Sequence, residues 1–480
     1  MRRNVLIITL LFIHVIVLAQ KKPRINTNKK VAIASVNAKA RELTTLSDKI
    51  WSFEEVAFQE KRSAAALMDY AEKQGFKITK NIGDIATAFT AEYGSGRPII
   101  GIMGEFDALP GLSQKPVPYK DPVNEGGAGH GCGHNLFGVA SLGAATVIKE
   151  QIESGKLKGT VRFYGTPAEE KFFGKLWMVR AGAFDDVDIM MDWHPGASTK
   201  ANVQAGLALV DFMVEFEGQA AHASSDPWNG RSASDALELY TTGINYYREH
   251  VLPSVRIHYH IMDAGKVVNV VPDYSKIWTR VRDTKRAGME KVWKRVEKIA
   301  EGAAVMADVD YKITLISGVH EVLVNRTGAA ALQKNLEYLG ELQFTDEEVV
   351  FAKKIQEATG KPQVGFDTKI NHLEETLEHP RGGSTDVGDV SWVVPTIRLG
   401  ATVAPKATPW HSWAVVACSG MSIGHKGMLY ATKALSMTMI DLFENAKLRE
   451  EVKLEYKERK GDYVYKGIVP DGPPPVNNVD

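Results

Sequence analysis

The sequence predicts an α/β fold in which a mostly parallel sheet carries a second, α+β unit as an insertion. Short apolar runs bounded by Gly and Pro alternate with helical stretches up to residue 206. A different order of elements fills residues 207–324, and the first pattern returns over 325–465. With 480 residues, the chain is also longer than one hydrophobic core usually serves. We therefore expect two domains.

The first 19 residues predict an export signal. Arg2 and Arg3 precede an apolar run over 5–18, and Ala19 ends a small-residue cleavage site. An uncleaved membrane anchor is the alternative, but the run is shorter than the roughly 20 apolar residues that span a bilayer. We expect an exported protein, periplasmic or secreted, that keeps no membrane span after cleavage.

The main domain is expected in two parts, residues 20–206 and 325–465, because its pattern is interrupted by the insertion. In the first part, strands are expected at 97–103, 159–164 and 187–191, and helices within 31–74 and at 136–152. Strands that alternate with helices are typical of a parallel sheet. Residues 466–480 hold too little apolar surface to fold and are expected to form a flexible tail.

The inserted segment, residues 207–324, has its own order of elements. The expected strands are 208–217, 255–263, 275–282 and 309–316, and the expected helices are 232–248 and 289–306. This βαββαβ order is that of a ferredoxin-like unit.

Charge and cysteine content narrow the possible partners. Lys plus Arg and Asp plus Glu balance at 58 each, so no net basic field attracts nucleic acid or an anionic membrane. A small-molecule partner is favoured. The two cysteines, Cys132 and Cys418, could pair in an oxidising compartment. Their surroundings argue against it, since Cys132 lies among histidines and glycines and Cys418 among small apolar residues.

A glycine-rich loop at 129–135 carries side chains that bind metals. Glycines flank both Cys132 and His134, so the backbone can turn both side chains towards one point. Thiolate and imidazole suit zinc, or manganese or cobalt. The start of the following helix and a nearby cation would favour a thiolate at Cys132. A structural turn with a buried cysteine and a hydrogen-bonded histidine is the alternative.

Further ligand-capable residues follow the predicted strands, where parallel sheets open crevices. Glu169 and Glu170 are adjacent in an extended segment and therefore point in different directions. One can bind a metal while the other acts as a general base, although a solvated charge cluster is the alternative. His194 and His411 are metal ligands or core histidines. The coincidence of several such residues favours a metal site.

Six motifs in order, between about residues 40 and 445, resemble the M20 family of metallopeptidases. They are GHGCGHNLFG (129–138), GTPAEE (165–170), DWHPG (192–196), GQAAHASSDPWNGRSASDAL (218–237), NVVPD (269–273) and HSWAV (411–415). The Cys-bearing loop resembles the amidohydrolase branch, which cleaves N-acyl and N-aroyl amino acids. CGHNLFG is closest to members that act on p-aminobenzoyl-glutamate and related dipeptides. Asn135 departs from the hippurate-type and auxin-conjugate hydrolases.

The resemblance implies two divalent metal ions per subunit, Zn²⁺ first, with Mn²⁺ or Co²⁺ as alternatives. The implied ligands are Cys132, His134, Glu170, His194 and His411. Glu169 corresponds to the general base, and Asp107 to the carboxylate that orients a metal ligand. Glu105 stands where many members place a histidine ligand, which puts metal ligation at that position in doubt.

The resemblance also implies a homodimer in which the inserted unit serves as a dimerisation or lid domain. His222 matches a histidine that reaches the active site of the partner subunit. Asn269 and Arg282 match residues that hold the carboxylate or carbonyl oxygen of the substrate. From the residues alone, Arg282 could be a surface charge on a strand, and His222 a loop residue that caps a helix.

The implied reaction is hydrolysis of the amide bond of an N-acyl or N-aroyl amino acid, or of a related dipeptide, by a metal-activated water. A broader exported dipeptidase or carboxypeptidase is the second hypothesis. A metal-stabilised binding protein without activity is the third, and it is disfavoured because a purely structural site needs no base such as Glu169.

Five other residues share this chemistry or lie close to the motifs. Asp386 and Asp389 lie in a Gly-rich loop, where they either support the metal ligands or form a turn with a helix cap, and Asp386 is the one expected near the ligands. His130 is expected to support the metal loop. His258 and His260 share one face of a strand, which we interpret as an exposed face more readily than as a metal site.

Overall fold

The computed structural model describes residues 26–377 and 382–476. The predicted export signal, residues 1–19, lies outside these ranges. Among the described helices, none combines the length and the apolar character needed to cross a membrane.

The helices and strands follow in chain order. The helices are α1 (Thr27–Ala38), α2 (Ala40–Trp51), α3 (Lys61–Lys73), α4 (His134–Glu153), α5 (Lys175–Arg180), α6 (Ala233–Tyr247), α7 (Arg286–Ala307), α8 (Arg326–Leu339), α9 (Asp346–Ala358), α10 (Val387–Ser391), α11 (Trp413–Ser419), α12 (Ser422–Glu444) and α13 (Ala446–Lys460). The strands are β1 (Lys77–Lys80), β2 (Phe89–Gly94), β3 (Ile99–Gly104), β4 (Thr160–Gly165), β5 (Ile189–Gly196), β6 (Lys200–Asn202), β7 (Ala208–Glu217), β8 (Arg256–Asp263), β9 (Tyr274–Asp283), β10 (Asp310–Val319) and β11 (Thr396–Thr402).

The larger sheet has seven strands in the order β1-β2-β4-β3-β5-β11-β6. Its four central strands, β4, β3, β5 and β11, are parallel, and β1, β2 and β6 join antiparallel at the edges. The three strands predicted in the first part are confirmed as β3, β4 and β5. β5 runs further than predicted, to Gly196, because His194 and its neighbours pair with β11. The carboxyl ends of β3, β4 and β5 therefore meet at one edge.

Helix α4 packs across β3, β4 and β5 and brings its first residue, His134, to that edge. It also contacts α12, which packs beside it on the same sheet, and most of its 20 residues are buried. Its middle consists of small and aliphatic residues, which allows close packing on both sides. This buried helix fixes the position of the loop that precedes it.

The smaller sheet is antiparallel, in the order β10-β7-β9-β8, with α6 and α7 packed on one face. The predicted βαββαβ order is confirmed. The strand period of two sends Ile277 and Val281 of β9 towards the helices, and Trp278, Arg280 and Arg282 towards the opposite face. The chain leaves the larger sheet after β6 and rejoins it at β11, and the predicted domain limits at 207 and 324 fall in the connections that flank the smaller sheet.

The segment after α13, where a flexible tail was expected, contacts both sheets up to residue 476. Ile468 is 7% exposed within the core of the smaller sheet, and its carbonyl accepts a 2.7 Å hydrogen bond from the Gly318 N–H. Arg180 donates to the carbonyls of Pro470 and Gly472 at 3.1 and 2.6 Å. Residues 468–472 are thus tied to the fold, which the low apolar content of the segment did not predict.

Candidate metal centre

The predicted metal ligands converge at the carboxyl edge of the larger sheet. Cys132 Sγ lies 3.3 Å from His194 Nε2, and His411 Nε2 lies 3.4 Å from Glu170 Oε2. The loop carrying Cys132 and the segment carrying His411 are joined by a 3.1 Å bond from the His411 N–H to the Gly131 carbonyl. The five residues predicted as ligands therefore come from four separate segments and meet in one place.

Local backbone geometry supports this arrangement. Gly133, between Cys132 and His134, has φ 76°, a left-handed conformation that glycine adopts without steric cost. His411 also has a positive φ of 53°. Such conformations in residues other than glycine are uncommon and cluster at functional sites.

His134 is held on both sides of its ring. Its Nδ1–H donates to Asp107 Oδ1 at 2.9 Å, which leaves Nε2 with a lone pair. Nε2 lies 3.0 Å from Glu105 Oε2. The other oxygen of Asp107 accepts the Glu170 N–H at 2.9 Å. Asp107 therefore orients His134 and anchors the backbone of Glu170 at once, which agrees with the role predicted for it.

His194 is oriented in the same way, since its Nδ1–H donates to the Pro195 carbonyl at 2.7 Å and its Nε2 faces Cys132. Three groups of metal-binding residues can be defined, and within each group the ligand atoms all lie within 4.8 Å of one another. The groups are Cys132, His134 and His194; Cys132, Glu170 and His411; and Glu105, His134 and Glu169. The first two share Cys132, as expected if one thiolate contributes to two neighbouring cation sites.

Three buried polar atoms of this cluster show that divalent cations fit the site. Glu170 Oε1 has no hydrogen-bond partner among the described residues, and His134 Nε2 and Glu105 Oε2 form no hydrogen bond there although they lie 3.0 Å apart. Buried polar atoms without a partner are costly, and here all three are on side chains that bind metals. Sulfur, imidazole and carboxylate donors together match the ligands of zinc and its neighbours. The residues present therefore fit divalent cations.

The electrostatics of the cluster also favour added positive charge. Burial, followed by the charges of Glu105 and Glu170, raises the pKa of Glu169 well above its ordinary value. Burial, with the charge of Asp107 in addition, raises the pKa of Glu170 to about 7 against the lowering effect of His134. Burial would lower the pKa of His134, but the charges of Glu105, Cys132 and Asp107, together with the hydrogen bond to Asp107, outweigh it and raise that pKa well above normal. Several buried carboxylates thus lie close together away from water, and a bound cation would stabilise their negative charges.

The expectation for Cys132 needs a correction. We predicted that the helix start and a nearby cation would favour a thiolate there, but the helix start alone does not, because burial, followed by the charge of Glu170, raises the pKa of this thiol. A thiolate at Cys132 therefore depends on a cation at the site. Cys132 and Cys418 are both buried free thiols.

Two buried residues that the sequence did not single out support the site. Lys175 is fully buried, and its Nζ lies 2.6 Å from both Glu105 Oε1 and Asp386 Oδ1. Asp386, expected near the ligands, thus acts through Lys175 and Glu105. Glu60 is also fully buried and accepts the Ala168 N–H at 2.8 Å. A lysine within the apolar stretch FFGKLWMV and a glutamate at the start of α3 were the only signals.

Other candidates lie outside the cluster. Asp389 accepts from His320 Nδ1 at 2.8 Å and belongs to a separate buried network. His130 contacts the Ile50 carbonyl through Nε2 at 3.2 Å, which ties the metal loop to α2 as expected. His258 and His260 lie exposed on β8. The exposed strand face expected for these two histidines is confirmed.

The residues predicted for substrate binding lie in the inserted unit and are separated, with Arg282 on β9 and His222 and Asn269 in loops. His222 and Val270 form an isolated antiparallel bridge, and the Asn269 carbonyl accepts the Ala223 N–H, so His222 and Asn269 are neighbours. Arg282 lies at the other end of β9, eight residues beyond Tyr274, which is about 26 Å of extended strand. Within one protomer, these residues do not share a small site.

Comparison with known proteins agrees with this geometry. The model of peptidase family M20/M25/M40 matches residues 101–389. The chain belongs to this family. One of the p-aminobenzoyl-glutamate hydrolase subunits of Escherichia coli (strain K12) is 37% identical over 88% of this chain and 94% of its own length. The Xaa-Arg dipeptidase of Mus musculus is 28% identical over 89% and 92%.

A solved structure confirms the M20 fold. The YXEP protein of Bacillus subtilis, described as a dinuclear metal-binding peptidase of family M20, superposes with a TM-score of 0.57 at 19% identity. The match covers 85% of this chain and 99% of that one. The predicted fold, a parallel-sheet domain with an inserted α+β unit, is therefore that of the family.

Proposed function

We propose that this M20 protein is a metal-dependent amidohydrolase that cleaves the amide bond of N-acyl or N-aroyl amino acids such as p-aminobenzoyl-glutamate. The observation that carries the proposal is the convergence of Cys132, His134, Glu170, His194 and His411 beside the buried Glu169. A structural metal site needs the ligands but not the extra carboxylate. The 37% identity to the E. coli p-aminobenzoyl-glutamate hydrolase chain supports this substrate class.

The ligand set suits two divalent ions, with zinc first and manganese or cobalt as alternatives. When bound, such ions polarise the scissile carbonyl and lower the pKa of water. Cys132, His134 and His194 would hold one ion, and Cys132, Glu170 and His411 the other. Asp107 keeps His134 in the tautomer that presents Nε2.

Glu169 is the residue placed for proton transfer. It is 8% exposed and lies within 4.8 Å of donor atoms of Glu105 and His134. Its pKa is raised by burial and then by the charge of Glu105, which makes the carboxylate a stronger base for accepting a proton. Glu169 takes the proton of the attacking water and passes it to the nitrogen of the leaving amine.

We propose that the inserted unit of one subunit completes the active site of a second copy of the chain. His222 and Asn269 lie at the far end of the smaller sheet from Arg282, so one small substrate cannot contact all three within one protomer. In a homodimer, His222 of one subunit would stabilise the oxyanion in the other, and Asn269 and Arg282 would bind the substrate's carboxylate or carbonyl oxygen. A complex with a second kind of chain is the alternative, since the E. coli relative is named as one of two subunits.

Mixing two inactive variants tests this arrangement. His222→Ala and Glu169→Gln are each expected to lose activity, and unfolding and refolding them together is expected to restore about a quarter of it. In a mixed dimer, one of the two sites receives both intact residues, and half of the dimers are mixed. Activity that stays at the level of the separate variants would contradict the shared site. Mass measurement in solution supplies the control for dimer formation.

The second candidate function is a broader exported dipeptidase. It is favoured by the match to the Xaa-Arg dipeptidase over most of both chains. Initial rates with p-aminobenzoyl-glutamate, N-acetyl amino acids and unblocked dipeptides, measured on protein whose bound metals have been determined, separate the two. Preference for p-aminobenzoyl-glutamate supports the first function, and dominance of dipeptides supports the second. Protein that neither contains nor responds to zinc, manganese or cobalt would contradict both.

A further inference from the structure

The loop that carries the two acidic residues is anchored at every second backbone N–H. The Thr166 N–H donates to the Gly104 carbonyl at 2.9 Å, the Ala168 N–H to Glu60 Oε1 at 2.8 Å, and the Glu170 N–H to Asp107 Oδ2 at 2.9 Å. Glu169 therefore lies between two residues whose backbones are held by buried carboxyl groups. Asp107 has a second function at His134, whereas the contacts of Glu60 point only to the loop and to its own support.

Ala168, which Glu60 holds, has an unusual backbone conformation. Its φ is 60°, in the left-handed region that alanine seldom adopts, and it is fully buried. Residues in this region persist only where the surrounding structure holds them. Besides the bond to Glu60, the Ala168 carbonyl accepts the Gly174 N–H at 3.2 Å.

This turn at Ala168 sets the directions of the next two side chains. Glu169 groups with Glu105 and His134, whereas Glu170 groups with Cys132 and His411. A backbone that relaxed to an ordinary conformation at Ala168 would rotate both carboxylates away from these groups. The backbone conformation of Ala168 therefore determines that Glu169 points to the position of a base and Glu170 to the position of a metal ligand.

Glu60 is itself held firmly. Its other oxygen, Oε2, accepts from the Thr87 hydroxyl at 3.1 Å, and the side chain is fully buried next to the apolar cluster that includes Phe58 and Ala168. Burial, followed by the charge of Asp107, raises the pKa of Glu60 to about 8. A neutral carboxyl can accept from Ala168 through one oxygen and bond the Thr87 hydroxyl through the other, and a glutamine can do the same.

We propose that Glu60 is a positioning residue that holds Ala168 in its left-handed conformation. It thereby orients Glu169 for proton transfer and Glu170 for metal binding. The inference rests on the proposed hydrolytic function. It concerns a residue that contacts neither the ligands nor the general base, and that acts through the backbone of the loop.

The test compares Glu60→Leu, Glu60→Gln and the double variant Glu60→Leu/Ala168→Gly in steady-state kinetics with p-aminobenzoyl-glutamate. Glu60→Leu is expected to lower kcat about 10- to 100-fold, because small misplacements of reacting groups have effects of this size. KM is expected to change little. Glu60→Gln is expected to regain most of kcat. Ala168→Gly is expected to recover part of the loss in the double variant, since glycine adopts a φ of 60° without cost.

Glu55→Gln is the matched control. Glu55 is another buried carboxylate in the same segment, and it caps α3 through the N–H groups of Arg62 and Ser63 without touching the loop. Its loss is expected to lower the melting temperature while kcat stays near that of the wild type. If Glu60→Leu does not fold, Thr87→Val takes its place, since it removes the support of Oε2, and Ala168→Gly is again expected to recover kcat.

The outcomes separate the positioning of the loop from the function itself. Unchanged kcat in the Glu60→Leu or Thr87→Val variant, or an equal loss in Glu55→Gln, would overturn the positioning role. Failure of Glu60→Gln to regain activity would do the same. Glu169→Gln, assayed in parallel, tests the hydrolytic mechanism alone, so full activity in that variant would count against the function and not against Glu60 specifically.

Discussion

Glu169→Gln is expected to keep its bound metal and to lose turnover by about 10²- to 10⁴-fold, the usual contribution of a general acid–base residue. Glutamine has nearly the shape of glutamate, so the cluster with Glu105 and His134 should stay intact. An amide cannot take the proton of the attacking water. The measurement is kcat with p-aminobenzoyl-glutamate, together with metal content by mass spectrometry.

Glu170→Gln is the matched control for this prediction because it makes the same chemical change at the adjacent residue. Glu170 groups with Cys132 and His411, and its Oε2 lies 3.4 Å from His411 Nε2. Its substitution is expected to lower metal content as well as activity. A Glu169→Gln enzyme that turns over at the wild-type rate would refute the role of Glu169. Equal loss of metal in both variants would show that the two carboxylates do not divide their tasks.

Much of the fold and of the cluster could be predicted because each ligand follows a recognisable strand or turn. β3, β4 and β5 appear in the sequence as short apolar runs, and the residues after parallel strands meet at one edge. Glu169 and Glu170 follow β4 directly, and His194 lies near the end of β5. Local pattern and the geometry of parallel sheets were enough to bring these side chains together.

The supporting residues could not be predicted, because their partners lie far away along the chain. Lys175 bonds to residues 70 and 211 positions away, and Glu60 bonds to an N–H 108 positions away. A lysine in an apolar stretch and a glutamate at the start of a helix look like ordinary surface residues. Only the packing of α3 and α5 against the site reveals that both side chains are buried.

The distance between Asn269 and Arg282 also could not be predicted from the local sequence pattern. Residues 13 positions apart in a sequence lie about 20 Å apart along a helix, and they lie further apart when a strand such as β9 covers most of the interval. The sequence predicted that strand, yet it offered no reason to place the two residues in different sites. The extended geometry of β9 is the observation that supports the proposed contribution of His222 and Asn269 from a second protomer.

Lys175→Met is expected to destabilise the protein by about 3 to 5 kcal/mol, the usual loss when one partner of a buried ion pair is removed. The ammonium is fully buried, bonds to Glu105 and Asp386 at 2.6 Å each, and the Lys175 N–H adds a 3.0 Å bond to Asp386. Methionine fills a similar volume but leaves two carboxylates in a dry space without their cation. The measurement is the midpoint of urea unfolding.

The loss of stability in the Lys175→Met variant should depend on pH in a defined direction. Burial already raises the pKa of Asp386 to about 7, against the lowering effect of Lys175, and removing the ammonium raises that pKa further. An acid whose pKa is higher in the folded state destabilises the fold as pH rises through that value. Lys175→Met is therefore expected to approach the wild type at acid pH and to fall furthest behind above about pH 7. A constant difference would argue that lost packing, and not charge, is the cause.

Lys115→Met gives the surface control. Its Nζ pairs with Asp121 Oδ1 at 2.9 Å, and the two side chains are 49% and 35% exposed. Exposed ion pairs of this kind contribute about 0 to 1 kcal/mol, because water already solvates both charges. Equal destabilisation in the two variants would mean that Lys175 does no more than a surface lysine. The expected gap follows from the burial of Lys175 and from the second carboxylate that its ammonium bonds.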